Sequence, residues 1–449
     1  MDILSAERYT EAMNDRCNVT RRSFLKTSLT ASAALAVGRA GAEDKLQPVR
    51  LGMIGMGNRG SSLLGTLLEF PGVEIRAACD LLPDRAQSGA QRIGQRSGRP
   101  AEVYAGSELA WEKLVGRADL DAVIIATPWD WHSRMAVAAM RAGKYPGVEV
   151  PAAVTLRECW DLVHTSEQTG IPCVMLENVC YFQRVLTLLR MVREGAFGDV
   201  LHCEAGYQHD CRFLMLDAQG KLTWRGRWSA NVNGNLYPTH AIGPVAQWMN
   251  INRGDRFVSL VSQSTPARGM KQYAAEKLGP HHELARRDYA QGDINTTLLK
   301  TANGLTVTLY YNILSPRPYD LIFRLQGGKG IYLDTNKSIS LEKAGGSADQ
   351  WEAFEPYQQK YPHPLWQALA AEAAKSGGHE GAEYVMFHDF LKAVRNKAPA
   401  PQTVCDAATW SAIVPLSIES VAHHGKPVEF PDFTGGNWKK TPPLPVYGA

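Results

Sequence analysis

Between about Gln47 and Cys180 the chain alternates short apolar runs with stretches of helical period. Residues 49–54, 73–79, 122–126 and 172–176 read as strands, and residues 59–69, 132–142 and 156–169 as helices. Two of those helices run into glycines, Gly143 and Gly170, placed as stops. Strand–helix alternation at this spacing predicts a parallel, doubly wound sheet. After Val200 the pattern changes to longer strands in which apolar and polar positions alternate. INTTLLKTANGLTVTLYYNI reads as a hairpin turning at Asn303-Gly304, and FRLQGGKGIYLD as a second. Helices return at 385–395 and 407–423. The expected fold class is therefore α/β. A parallel-sheet domain spans 46–180, and a C-terminal α+β domain with a mainly antiparallel open sheet spans 181–449. The chain shows no internal repeat and no low-complexity linker.

The N-terminus follows neither pattern. Arg21, Arg22 and Lys26 precede a weakly apolar stretch from Ser28 to Val37, and Ala40-Gly41-Ala42 offers small residues for cleavage. Residues 1–42 are thus expected to be a twin-arginine signal peptide, cut after Ala42, and the protein to be exported to the periplasm or secreted. A buried N-terminal helix is the alternative. The apolar stretch is too short to span a bilayer, which takes about 20 residues, and no later stretch reads as a membrane span. Without residues 1–42 the formal charge falls from +3 to +1, which points to neither nucleic acid nor an anionic surface as partner. The eight cysteines form no C-x-x-C and stand near no histidine pair at zinc-ligand spacing. His281-His282-Glu283 lacks the H-E-x-x-H spacing and reads as solvated loop, so no metal is expected.

Gly55-Met56-Gly57-Asn58-Arg59-Gly60 matches G-x-G-x-x-G between a predicted strand and helix. In such a loop the first glycine permits the turn, the second admits the pyrophosphate, and the third lets helix and strand pack closely. Asp80, about 20 residues on at the end of the second strand, is placed to accept from ribose hydroxyls. Leu81 and Leu82 follow it, with no arginine for a 2′-phosphate. The parallel domain is therefore expected to be of Rossmann type and to take NAD rather than NADP.

Further along, ATPWDWH, GVEVPAAVT and MLENVCY resemble the glucose–fructose oxidoreductase and inositol dehydrogenase superfamily. Within it EVPAAVT, GYQHD, NGNLYPTH and SPRPYD resemble glycoside hydrolase family 109. That resemblance implies an NAD-dependent glycosidase of the α-N-acetylgalactosaminidase kind, acting on a small-molecule or glycan-terminal sugar. A homo-oligomer is an open expectation. It also implies that Gly55, Gly57, Asn58, Arg59, Gly60, Asp80, Trp129, Asp130, Trp131, His132, Glu149, Val150 and Asn178 surround NAD. Tyr207, Arg225, Tyr237, Pro238, Thr239, His240 and Tyr319 would meet the sugar, with His240, Tyr237 and Tyr319 catalytic. Trp129 and Trp131 fit a core equally well, and in TWRGRW Arg225 and Arg227 are interchangeable candidates. Tyr145 and Pro146 in GKYPGVEV depart from a plainer strand.

Dehydrogenases of the superfamily carry Glu-Lys-Pro where this chain has Glu149-Val150-Pro151, and a valine cannot move a proton. Tyr237-Pro238-Thr239-His240 offers a replacement. With Pro238 opening a helix, His240 falls in its first turn, where the positive helix end favours a neutral ring. A capping aromatic beside a hydrogen-bonded histidine is the alternative reading. The implied mechanism is redox-neutral. Oxidation at C3 acidifies the C2 proton, the aglycone leaves C1 by elimination, water adds, and the hydride returns. A cofactor regenerated at every turnover needs no resupply after export. Two rivals remain: an exported sugar oxidoreductase with tightly bound NAD(P), and a non-catalytic NAD-containing sugar-binding protein.

Overall fold

The computed structural model describes residues 48–343 and 349–449, so the expected signal segment 1–42 lies outside the described residues. The first sheet has six parallel strands: β1 Val49–Ile54, β2 Val73–Asp80, β3 Glu102–Ala105, β4 Ala122–Ile125, β5 Tyr145–Val148 and β6 Val174–Met175. Their order is β3-β2-β1-β4-β5-β6, so the chain reverses direction across the sheet between β1 and β4. Ile54 and Ile125 leave the sheet side by side. Burial on both faces explains why these strands read as continuous apolar runs.

The helices start and stop where local chemistry dictates. Leu156–Thr169 opens with a capping box in which the Thr155 hydroxyl accepts from Glu158 N–H at 3.2 Å and Glu158 accepts from Thr155 N–H at 3.0 Å. It ends at Gly170, whose φ of +69° suits glycine alone at little cost. The helix Pro83–Ser97 and strand β3 carry too little apolar signal to be expected from sequence, since both lie on the exposed side. GKYPGVEV forms β5 in spite of Pro146. Strand β6 pairs only Gly147 and Val148, so the proline lies outside that ladder. Gly147 is needed for packing, because a Cβ there would stand 2.9 Å from Ile124.

The second sheet has nine strands: β7 Val200–Gln208, β8 Phe257–Ser264, β9 Asn295–Thr301, β10 Thr306–Asn312, β11 Arg324–Gly327, β12 Gly330–Leu333, β13 Ser338–Leu341, β14 Glu352–Ala353 and β15 Val428–Glu429. Their order is β14-β13-β12-β11-β7-β10-β9-β8-β15, antiparallel throughout except for β7 beside β10. Both expected hairpins form, β9–β10 turning at Gly304 with φ +89° and β11–β12 at Gly328-Lys329. Strand β9 alternates buried and exposed along its whole length. The helix Val404–Ala422 covers β8 on one side and packs on Leu156–Thr169 on the other, joining the two sheets. The described residues belong to one compact unit with a continuous apolar core. Among them no helix is long and apolar enough to cross a membrane.

Candidate active site

Strands β1, β4, β5 and β6 end at one edge of the parallel sheet, and the crevice between the β1 and β4 loops is where such sheets take their ligands. Gly55 turns there with φ +91°, and a Cβ on it would lie 2.4 Å from the Ala126 carbonyl oxygen. A Cβ on Gly60 would lie 1.8 Å from the Gly55 oxygen, so strand end and helix meet backbone to backbone. Gly57 differs. Its missing Cβ would meet only the end of the Arg85 side chain, Nη1 at 3.5 Å, an ordinary contact. The helix Asn58–Leu67 begins there without a side-chain cap, so its first N–H groups remain available to an anion. Asp80 Oδ2 accepts from Met56 N–H at 2.7 Å and Oδ1 from Leu82 N–H at 2.9 Å, which fixes the carboxylate beside the loop. The Asn178 side chain is buried, and neither amide atom has a protein partner. These residues fit a dinucleotide.

The loop ends after β4 and β5 are braced to one another. His132 is buried between the two loop ends, with Nδ1 2.7 Å from Pro151 O and Nε2 2.8 Å from Thr127 O, and its neutral ring donates to one of these carbonyls. Burial pushes its pKa down. Glu149 Oε1 accepts from Arg59 Nε at 2.6 Å, and its Oε2 accepts from Val150 N–H at 3.1 Å. Val150 itself is core.

Next to the β4 end stands an aromatic cluster that begins at Trp129. Trp129 lies beside Trp224 (5.0 Å between centroids), Trp228 and Tyr237 (both 5.7 Å). The Arg225 guanidinium sits over three of these rings, at 4.7 Å from Trp129, 4.8 Å from Trp224 and 5.4 Å from Tyr237. Tyr237 in turn meets Tyr207 at 4.9 Å and stands perpendicular to His240 at 5.0 Å. Tyr207 reaches His240 at 5.4 Å and Tyr319 at 6.2 Å. Trp129, Tyr207, Arg225, Tyr237, His240 and Tyr319 thus come together from five separate segments, Tyr237 and His240 sharing one. Asp130 borders them, accepting from Trp228 Nε1 at 3.3 Å.

Other expected residues fall elsewhere. Trp131 lies under the Arg134 guanidinium at 5.3 Å and does not join the cluster. Arg227 donates to Leu222 O at 3.3 Å, which leaves Arg225 as the arginine of the pair that faces the aromatics. Pro238 is the residue before the helix Thr239–Trp248 and not its first, and the buried Thr239 hydroxyl has no protein partner. His282 accepts from Leu284 N–H at 3.2 Å and His281 meets Arg286 at 2.5 Å, a local cap.

The main addition is Glu177. It follows β6 and is fully buried, and its Oε1 lies 2.6 Å from His240 Nδ1. A carboxylate only accepts, so Nδ1–H donates to Glu177 and Nε2 is the ring nitrogen turned away from it. Glu177 stands at the end of a parallel strand, as Glu149 does, and that position within MLENVCY is the signal that points to it. Burial pushes the Tyr237 phenol far above its ordinary pKa, reinforced by Glu149 and opposed by Arg225. Tyr207 is raised chiefly by burial as well, whereas Tyr319 stands at the open side of the cluster, 44% exposed. Tyr207 and Tyr237 therefore keep their protons at neutral pH.

Residues 181–440 match the glycosyl hydrolase 109 C-terminal domain, and residues 49–177 match the oxidoreductase-family NAD-binding Rossmann fold. A glycosyl hydrolase family 109 protein of Shewanella pealeana is 42% identical over 455 residues, covering 96% of this chain and 100% of its own. The chain belongs to glycosyl hydrolase family 109. An α-N-acetylgalactosaminidase of Tannerella forsythia is 41% identical over 458 residues, 93% of this chain and 97% of its own. Among solved structures, levoglucosan dehydrogenase in complex with NADH superposes with a TM-score of 0.65 at 21% identity, over 86% of this chain and all of that one. An apo scyllo-inositol dehydrogenase from Lactobacillus casei gives 0.60 at 14%, over 86% and 99%. These two show the fold. The family and the Rossmann match together make the chain an NAD-dependent glycoside hydrolase.

Proposed function

We propose that this protein hydrolyses α-linked N-acetylgalactosaminides by oxidation, elimination, addition and reduction, and that it does so after export. The observation that carries this reading is the Glu177–His240 pair with Tyr237, standing at the strand ends that also form the dinucleotide crevice. A conventional glycosidase needs two carboxyl groups free to act on the glycosidic bond. The three carboxylates at the ends of these strands are engaged, Asp80 by the Met56 and Leu82 N–H groups, Glu149 by Arg59 and Glu177 by His240.

When bound, NAD supplies a hydride acceptor that later returns the same hydride. The residues do the proton work. His240 Nε2 takes the proton of the 3-hydroxyl as that carbon is oxidised, and Glu177 offsets the charge that develops on the ring. Tyr237, protonated and 5.0 Å from His240 by centroids, donates toward the oxygen that becomes a carbonyl. A base of the cluster then takes the C2 proton and later returns it, the aglycone leaves C1 with its bonding electrons and is protonated by a phenol, and that phenolate recovers its proton from the water that adds at C1. Water adds at C1, C2 regains a proton, and C3 is reduced. Arg225 over Trp129 and Tyr237 forms a cationic wall against which a neutral N-acetyl sugar packs. The likeness to the Tannerella forsythia α-N-acetylgalactosaminidase supports the sugar and the linkage.

The test is to incubate purified protein, without added cofactor, with 4-nitrophenyl α-N-acetylgalactosaminide. Nitrophenol release without net NADH is expected. A lactone or polyol product would make the protein a hydride-shuttling oxidoreductase, and binding without turnover would make it a sugar-binding protein.

A further inference from the structure

Arg59 belongs to the glycine motif, yet its guanidinium leaves that loop and bridges to the other half of the protein. Its Nε bonds Glu149 at the end of β5, and its Nη1 is in close contact with Glu383 of the helix Ala382–Asn396. Glu383 is fully buried. It also accepts from Thr66 Oγ1 at 3.2 Å, so two residues of the helix Asn58–Leu67 converge on it. His379 Nδ1 lies 2.6 Å from the same carboxylate. Stacking of Phe70 on Tyr384, at 4.1 Å and 12°, seals the contact beside it.

The turn 377–381 is built to hold this arrangement. His379 and Glu380 both have positive φ, +46° and +60°, conformations that side chains other than glycine rarely adopt. A Cβ on Gly378 would stand 2.5 Å from Glu383 Oε2, so only glycine lets the carboxylate come so close. The far side of the turn is tied by Glu380 to Arg184 at 3.3 Å, and Arg184 is held by Asp334 at 3.0 Å. An unfavourable backbone fastened at both ends implies that something is gained from the fastening.

We propose that Glu383 and His379 are positioning residues that fix Arg59 across the two halves, and that this fastening sets how slowly NAD leaves the protein. With Arg59 held, the first turn of the helix Asn58–Leu67 and the β5 end cannot separate, and the β1–β4 crevice beside them cannot widen without breaking ion pairs to buried carboxylates. The inference rests on the proposed reading only in taking the cofactor to be retained from one turnover to the next.

The experiment uses the full chain loaded with ¹⁴C-labelled NAD and chased with excess unlabelled NAD. The wild type should hold its label for many turnovers. Glu383→Gln should shorten that residence by about tenfold or more, since it leaves Arg59 without one charged partner. His379→Ala, which removes a half-exposed ring, should shorten it less. Thermal midpoints of loaded and stripped protein supply a readout that a purely structural role would not move. The fastening role predicts a smaller increment from NAD in Glu383→Gln, whereas a structural role lowers both midpoints equally. Wild-type residence in folded Glu383→Gln, or equal losses of midpoint, would overturn the proposal. If Glu383→Gln does not fold, unchanged residence in His379→Ala overturns it. Label lost from the wild type within one turnover would overturn the retention reading itself.

Discussion

The two halves of the protein build their parts of the site by different means. In the parallel half the dinucleotide cradle is backbone: Gly55 and Gly60 let strand and helix touch, Gly57 leaves room, and uncapped N–H groups face the space. In the antiparallel half the site is side chain. Tyr207, Arg225, Tyr237 and Tyr319 reach it from β7, two helix starts and a loop, and they touch one another through ring faces. A site made of backbone is specified by a few adjacent residues. A site made of side chains is specified only by how distant segments pack.

The sharpest way to test that contrast is at the junction of the two halves, where the Glu177–His240 pair draws one residue from each. His240→Ala and Glu177→Gln should each lower kcat by about 10²–10⁴-fold while leaving KM and the bound NAD largely intact. Glu177→Gln is the sharper of the two, since an amide can donate to Nδ1 and place the ring's proton on the wrong nitrogen. Imidazole ¹⁵N shifts report that tautomer directly. Near-normal turnover in both variants would show that the proton shuttle lies elsewhere, with Tyr319 the next candidate.

Within the backbone half, two glycines with different duties should fail differently. Gly60→Ala drives a Cβ to within 1.8 Å of the Gly55 oxygen and should cost about 1–3 kcal/mol of stability or more, along with the cofactor. Gly57→Ala meets no protein atom closer than 3.5 Å, so its melting temperature should stay near wild type while NAD is lost. Parallel melting and nicotinamide release measurements check both. Equal destabilisation would mean that Gly57 serves packing and not ligand access.

Within the side-chain half the effects are smaller. Arg225→Ala removes a cation from three ring faces and should raise KM by a factor corresponding to about 0.5–2 kcal/mol. Arg227→Ala should change KM by less than that, since its contact is a single carbonyl of its own segment. Steady-state kinetics with an aryl glycoside distinguish the two.

The same division explains what could be read before the structure. Strand β1, the glycine loop and Asp80 lie within one short stretch, so periodicity and spacing suffice to place them. The β9–β10 hairpin is equally legible because Asn303-Gly304 dictates its turn. The strand β3 and the helix Pro83–Ser97 escape because they lie on an exposed flank with little apolar pattern. In the site, Tyr237 and His240 are visible as a motif opening a helix. Glu177 is not, since its meaning depends on a helix 63 residues away packing against the turn Asn178–Tyr181. Arg225 and Arg227 look alike in TWRGRW, and only the seating of the helix Trp224–Asn231 on Trp129 separates them. Glu383 is further still from its partner, 324 residues along the chain from Arg59.

The central claim is that cleavage passes through oxidation at C3, and a pair of substrates tests it most directly. An aryl α-N-acetylgalactosaminide and its 3-deoxy counterpart are given to the same purified protein, and aryl release is followed for each. The account predicts brisk release from the first, with no NADH accumulating, and none from the second, which has no hydroxyl to oxidise. Cleavage of the 3-deoxy glycoside at a comparable rate would contradict the oxidative route and return the site to ordinary acid–base hydrolysis.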